Sequence, residues 1–251
     1  MIKLRNLLIV AVIISFGVIA FISCKKESKP IQIDEVSSIT ELTDYQIEYI
    51  GKMHNVYVKR AYDNYFAEIK TKSSNDNNLT ISIIDLITYF GQQPESEGIK
   101  EDDIDKIKEF YYNFKTNKSS NLSYSEQLLE YIKINVEEVY GVDYDEIINP
   151  VNTRTASESK TLNVLRGVAF SVNKNSEKFW RGFHGDKSIE TRAKGGATIA
   201  ADTAGALWGL LFTPAVSIIV GGVASIVANE IENAEESSVV FDGEIHTPKD
   251  I

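Results

Sequence analysis

Cys24 is the only cysteine among the 251 residues, and it lies where an apolar run ends. A single cysteine excludes an intrachain disulfide, so its chemistry is that of a thiol, whose thiolate form is a nucleophile. Lys3 and Arg5 precede the sixteen uncharged, almost wholly apolar residues Leu7–Ile22. At a rise of about 1.5 Å per residue, this run is slightly short for a bilayer core. A basic start, a short apolar run and a small residue before the processing point are typical of a secretory signal.

The stretch Phe21-Ile22-Ser23-Cys24 resembles the lipobox of bacterial lipoprotein precursors. The resemblance covers residues 1–29 and implies a signal peptide over residues 1–23, with Cys24 as the lipidated first residue of the mature protein. The charged residues Lys25–Glu27 are similar to the surface-export signals of Bacteroidota lipoproteins. The resemblance therefore implies a lipid-anchored protein of a Gram-negative outer membrane, with the membrane as its partner through Cys24.

Residue types that support catalysis or metal binding are few and scattered. His54, His184 and His246 show no zinc-ligand spacing, and we expect His54 to be a packing residue and His184 a helix-end residue. The carboxylate runs 101–103 and 143–146 lack the glycine-centred spacing of a calcium loop. No nucleophile elbow, P-loop or dinucleotide fingerprint occurs. We therefore expect no metal, no cofactor and no catalytic residue, although a hydrolase built from paired carboxylates leaves faint local traces and stays open.

The charge is unevenly distributed along the chain, which carries 26 Lys and Arg against 36 Asp and Glu. Residues 31–150 hold 11 cations and 23 anions, residues 151–194 hold nine and four, and residues 195–251 hold one and eight. The acidic body argues against nucleic acid as a partner. The basic stretch has two explanations: it lies against the acidic body, or it meets an anionic lipid surface.

Apolar spacings of three and four predict an all-α fold, a helical bundle. We divide the chain into a tether (24–37), an acidic helical domain (38–150) and a C-terminal part (151–251) with a basic helix, an apolar helical hairpin and a short tail.

Helices are expected over about 38–72, 81–90, 101–115 and 158–182, and another begins at the capping box Ser123–Glu126 and stops at Gly141. Residues 142–157 are expected to be a linker. No strand is expected before Val239, and 239–245 is either a short strand or an extended tail.

The most unusual segment, residues 203–229, contains no charge and is divided by Pro214. Two helices, about 188–212 and 215–235, are expected, because proline disfavours helix at the residue before it. Small residues recur at every fourth position, which places them on one helix face: Ala201, Gly205, Gly209, Ser217, Gly221 and Ser225. This pattern resembles glycine-zipper helices. We predict that Gly205, Gly209, Gly221 and Gly222 are helix-packing residues and that Trp208 is the bulky contact.

Three arrangements of this hairpin are compatible with the sequence. It is the buried centre of a helical domain, it inserts into a membrane alone or by self-association, or it is stored in the fold and released at a target. The corresponding function is that of a non-catalytic, lipid-anchored envelope protein whose hairpin packs against helices or membrane. A soluble helical module that binds an envelope protein and an unrecognised hydrolase are the alternatives.

Overall fold

Eight α-helices and three short strands are present in the described part of the chain. The computed structural model describes residues 39–68, 79–93, 96, 99–114, 120–149, 159–184, 192–233, 237–241 and 244–246. The helices are α1 (Asp44–Arg60), α2 (Ile83–Gly91), α3 (Glu101–Tyr112), α4 (Tyr124–Tyr140), α5 (Tyr144–Ile148), α6 (Lys160–His184), α7 (Arg192–Gly209) and α8 (Pro214–Asn233). A 3₁₀ turn at Ile39–Glu41 precedes α1, and a π-helical segment, Ala61–Phe66, continues it. The expectation of an all-α helical bundle with an apolar helical hairpin is confirmed.

Helix α4 begins and ends at the residues that the sequence indicates. The Ser123 hydroxyl accepts a hydrogen bond from the Glu126 amide at 3.3 Å, and the Glu126 carboxylate accepts one from the Ser123 amide at 2.7 Å. The two bonds satisfy amides that the first turn of a helix leaves unpaired. At the other end, Gly141 adopts φ +65°, the left-handed conformation that glycine takes up without steric cost.

The strands β1 (Leu79–Ser82), β2 (Ser237–Phe241) and β3 (Glu244–His246) form one small sheet in the order β1-β2-β3. β1 pairs in parallel with β2, and β2 pairs antiparallel with β3. The expectation of no strand before Val239 is therefore wrong. Four residues are too few to show a reliable alternation, and the parallel partner of β1 lies more than 150 residues further along the chain.

The stretch expected to be a linker also contains a helix, α5, capped by Asp143, whose carboxylate accepts a hydrogen bond from the Asp145 amide at 2.8 Å. Five residues give hardly more than one turn, and apolar spacing does not detect an element of that length. Two of its residues, Tyr144 and Ile147, are buried in the core, which explains why so short a helix is ordered.

Helices α7 and α8 form the expected hairpin at the centre of the bundle, in contact with α1, α2, α4 and α6. Every residue from 201 to 210 and from 216 to 229 is buried. Pro214 is the first residue of α8, where its missing N–H costs nothing, and the Thr213 hydroxyl accepts a hydrogen bond from the Val216 amide at 3.1 Å. The segment Pro214–Ile231 is long and apolar enough to cross a membrane, yet 83% of it is buried inside the fold.

Helices α1 and α6 pack side by side in parallel, with a constant offset of 120 residues between partners. A Cβ atom on Gly167 would meet Ile47, a Cβ atom on Gly51 would meet Ser171, and the Asn55 amide donates to the Asn175 carbonyl at 2.8 Å. These contacts recur at every fourth residue of both helices, so a single stripe of each helix faces the other. The opposite face of α6 is exposed to solvent.

Candidate functional site

The two hairpin helices approach each other most closely at three glycines. A Cβ atom on Gly209 would lie 2.7 Å from the Ser217 Cα, and one on Gly205 would lie 2.9 Å from the Val220 carbonyl oxygen. A Cβ atom on Gly221 would lie 3.1 Å from the Asp202 carbonyl oxygen. Because these neighbours are backbone atoms, a side chain would force the helices apart. Glycine at these positions is required by the approach of two backbones.

Gly222, the fourth glycine singled out from the sequence, faces away from this contact. A Cβ atom there would meet the Phe90 ring at 3.6 Å and Val58 at 3.8 Å, which are ordinary van der Waals distances. Gly222 therefore packs against α1 and α2. It follows Gly221 by one residue, and neighbouring residues of a helix point in different directions.

Trp208 contacts helix α3 and the turn that follows its own helix. It is 7% exposed and stacks on Phe110 with ring centroids 3.9 Å apart and an interplanar angle of 29°. It also meets the ring of Phe212 at 5.1 Å. The indole thus fastens α7 to one of the surrounding helices.

Three tyrosines of the surrounding helices donate hydrogen bonds to carbonyl oxygens of the hairpin. Tyr140 bonds Leu207 at 3.0 Å, Tyr111 bonds Val220 at 3.3 Å and Tyr144 bonds Ala200 at 3.4 Å. Burial raises the pKa of all three phenols above the ordinary value. The hairpin is therefore held by polar bonds as well as by apolar contact.

A buried imidazole–carboxylate pair lies where four helices meet. The carboxylate of Asp202 (α7) contacts Nε2 of His54 (α1), and both side chains have no exposed surface. Burial raises the pKa of Asp202, and this effect is opposed by His54 and by the hydroxyls of Ser176 (α6) and Ser225 (α8). The indole N–H of Trp180 donates to the Ser225 oxygen at 3.0 Å.

The hydrogen-bond partners of His54 fix its tautomer. The amide nitrogen of Asn55 donates to the Asn175 carbonyl, which leaves the Asn55 Oδ1, 3.1 Å from His54 Nδ1, as an acceptor. His54 therefore donates from Nδ1 to Asn55, which leaves Nε2 facing the Asp202 carboxylate. A buried carboxylate requires a polar partner in an apolar core, and the imidazole of His54 is that partner.

A carboxylate beside an imidazole, with serine hydroxyls nearby, is an arrangement used in general acid–base and nucleophilic catalysis. A substrate must reach such groups, and His54, Asp202, Ser176 and Ser225 are each completely buried. The pair therefore joins α1 to the hairpin and does not present reactive atoms. The sequence indicates a packing role for His54 but not its partner, although Asp202 is the only charged residue between Lys194 and Glu230.

The other candidate residues have structural positions. Asp143 caps α5, and residues 101–103 form the acidic first turn of α3, where the helix dipole favours carboxylates. His184 is the last residue of α6, and His246 the last of β3. Within the described ranges, no group of three or more histidine, cysteine or acidic side chains is arranged to hold a metal ion. Cys24 lies outside the described residues.

Comparison of the chain with protein-family models, curated proteins and solved structures finds no match. The functional argument therefore depends on the sequence and on the contacts described above.

Proposed function

We propose that this chain is a non-catalytic, lipid-anchored envelope protein whose helical domain is built around its apolar hairpin. The lipid anchor rests on the lipobox resemblance at Cys24, and the observation that supports the enclosed hairpin is the burial of residues 201–210 and 216–229 beneath the surrounding helices. In this arrangement the hairpin packs against protein, and the lipid on Cys24 anchors the molecule to the membrane.

The polar contacts of the hairpin support this arrangement. Asp202 has its partner on α1, and the Ser217 hydroxyl donates to the Ala206 carbonyl across the hairpin at 2.6 Å. Tyrosines of α3, α4 and α5 bond the hairpin's own carbonyl groups. A buried polar group without a partner is costly, so these bonds favour the folded, enclosed hairpin over one surrounded by lipid.

We also propose that the small residues act as a glycine zipper inside the protein. Gly205, Gly209 and Gly221 bring α7 and α8 close enough for extensive backbone contact. In a helix, glycine costs about 1 kcal/mol relative to alanine, and close packing of the two helices offsets that cost.

The anchor is tested in a Gram-negative host that expresses the full chain and a Cys24→Ser variant. Intact-mass analysis should find a wild-type chain that begins at Cys24 and carries acyl groups, located in the outer-membrane fraction. The variant should lose the acyl mass and leave that fraction. Recovery of an unacylated wild-type chain with residues 1–23 intact would refute the lipid anchor.

The enclosed hairpin is tested with residues 33–251, which span the compact unit Ile33–Ile251. This chain should be monomeric without detergent and should not remain with vesicles after an alkaline carbonate wash.

A hairpin that enters bilayers is the second candidate, and it is favoured by the length and apolarity of Pro214–Ile231. Wash-resistant binding of residues 33–251 to vesicles would support that candidate over the enclosed hairpin.

A further inference from the structure

Helix α6 is cationic in an otherwise acidic protein. Five of its six charged residues are basic, and the whole chain carries a net charge of −10. The basic residues are Lys160, Arg166, Lys174, Lys178 and Arg181.

These cations lie mainly on the side of α6 that faces away from the protein. Only Arg166 reaches the acidic body through a contact in the described residues, with its Nε 3.2 Å from the Glu146 carbonyl oxygen. Lys174, Lys178 and Arg181 are exposed and line an open surface depression with Glu177 and Gly182. The basic residues of α6 are therefore not used chiefly to bind the acidic body.

An exposed aromatic ring continues the same stripe. Phe170 is 70% exposed, the largest exposed fraction among the large apolar side chains in the described ranges. Steps of four, four and three residues lead from Phe170 through Lys174 and Lys178 to Arg181, which places all four on one face of the helix. We call these four residues the outer face of α6.

Nearby carboxylates neutralise the outer face only in part. Glu177 pairs with Arg181, and Glu48 of α1 pairs with Lys52 at 2.7 Å. The pKa of Glu48 is lowered first by Lys52 and, to a smaller extent, by Lys174. With Lys52 added to the three cations of the outer face, four cations lie beside these two anions, and the surface keeps an excess of positive charge.

The chain that leads from Cys24 joins the domain beside this helix. The 3₁₀ turn at Ile39–Glu41 packs against α6. Fourteen residues, the length of the expected tether 24–37, reach at most about 50 Å. A membrane that holds Cys24 is therefore within reach of the outer face.

We propose that the outer face of α6 docks on a membrane surface rich in anionic phosphate headgroups. Basic side chains near such a surface are attracted by its negative potential, and an exposed ring between them can enter the headgroup region. The docking is peripheral, so the hairpin stays enclosed. Docking of α6 requires neither acylation of Cys24 nor insertion of the hairpin. The docking proposal can therefore fail while the proposed function holds, and the reverse is also true.

The test uses flotation of residues 33–251 with vesicles of phosphatidylcholine, alone or mixed with phosphatidylglycerol. We expect binding only to the anionic vesicles, with release as the salt concentration rises because exposed charges are screened. Lys174→Glu/Lys178→Glu should weaken binding at least about tenfold. Phe170→Ser should weaken it several-fold while leaving the salt dependence in place.

The matched control is Lys106→Glu/Lys108→Glu on α3, which makes the same change in net charge on another helix. It should keep at least about half of the binding, since the attraction is local, and circular dichroism should show all variants folded. The proposal would be overturned if the protein bound both kinds of vesicle equally, or if the control variant lost as much binding as the α6 variant. It would also be overturned by binding that resists salt and persists in the α6 variants.

Discussion

In the described part of the chain, glycine lets two pairs of helices approach closely, the α7/α8 hairpin and the parallel pair α1/α6. Both depend on glycine set against backbone: Gly209 against Ser217, and Gly51 against Ser171, whose carbonyl oxygen would lie 2.6 Å from an added Cβ atom. The first contact is visible in the sequence because small residues repeat at every fourth position. The second contact contains a single glycine in α1 and gives no such signal. A helix contact is therefore predictable from sequence when its small residues repeat, however close the two helices lie.

The two contacts are joined by the buried pair of His54 and Asp202, which links α1 to α7. His54→Leu should lower the free energy of unfolding by about 3–5 kcal/mol, because it leaves a carboxylate buried without its partner. Urea unfolding followed by circular dichroism measures this loss. The double variant His54→Leu/Asp202→Ala should recover at least half of it, since an apolar pair needs no neutralisation. A double variant as unstable as His54→Leu would show that the pair is not what joins the two regions.

Within the hairpin, the same substitution at two glycines should have opposite effects. Gly209→Ala should destabilise the protein by about 3 kcal/mol, because its methyl group meets backbone. Gly222→Ala, the matched control, should be neutral or stabilise the protein by up to about 1 kcal/mol, because alanine is the better helix former and the added methyl group would meet Phe90 and Val58 at ordinary van der Waals distances. Thermal melts of both variants measure the difference. Similar melting temperatures would contradict the assignment of Gly209 to the close contact.

Gly51→Ala tests whether the α1/α6 contact is as tight as the α7/α8 contact. Its methyl group would lie within 2.5–2.7 Å of Ser171 atoms, so we expect a loss of about 2–3 kcal/mol, close to that at Gly209. Gly141→Ala is not a suitable control, since its φ is positive; Gly222→Ala serves here too. If Gly51→Ala is neutral in urea unfolding, α1 and α6 can move apart and only the hairpin contact is tight.

The hairpin also differs from the α1/α6 pair in the tyrosines that bond its carbonyl groups. The raised pKa values of Tyr111, Tyr140 and Tyr144 mean that the folded protein keeps these protons above pH about 10, where an unfolded chain loses them. The folded state then binds more protons, so its stability falls as the pH rises. Each phenol contributes up to about 1.4 kcal/mol per pH unit.

Urea unfolding in a series of buffers above the usual tyrosine pKa measures this slope. Tyr140→Phe removes one of the three protons and should make the slope shallower. Tyr112→Phe makes the same substitution at a side chain that is 55% exposed, and it is the matched control for the loss of a phenol hydroxyl. An identical slope in wild type and Tyr140→Phe would contradict the argument.

The sequence by itself determined the local features of this protein. Periodic apolar residues define the long helices, Ser123 and Glu126 define the start of α4, and Pro214 separates the hairpin helices. The repeat of small residues indicated three of the glycines at the hairpin contact. Each of these sequence patterns lies within a few turns of one helix or of the next helix along the chain. Helix periodicity, capping and the effect of proline all act between residues that are close in sequence, so the sequence alone reveals them.

The tertiary structure alone decided which distant residues meet. Asp202 contacts His54, which lies 148 residues earlier in the chain, and β1 pairs with β2 more than 150 residues away. Gly51 is required because the backbone of Ser171 lies against it. It also decided that the apolar hairpin is enclosed and that the cations of α6 face outward. Burial of an apolar segment depends on what surrounds it, and neither hydropathy nor periodicity specifies the neighbours that a chain brings together.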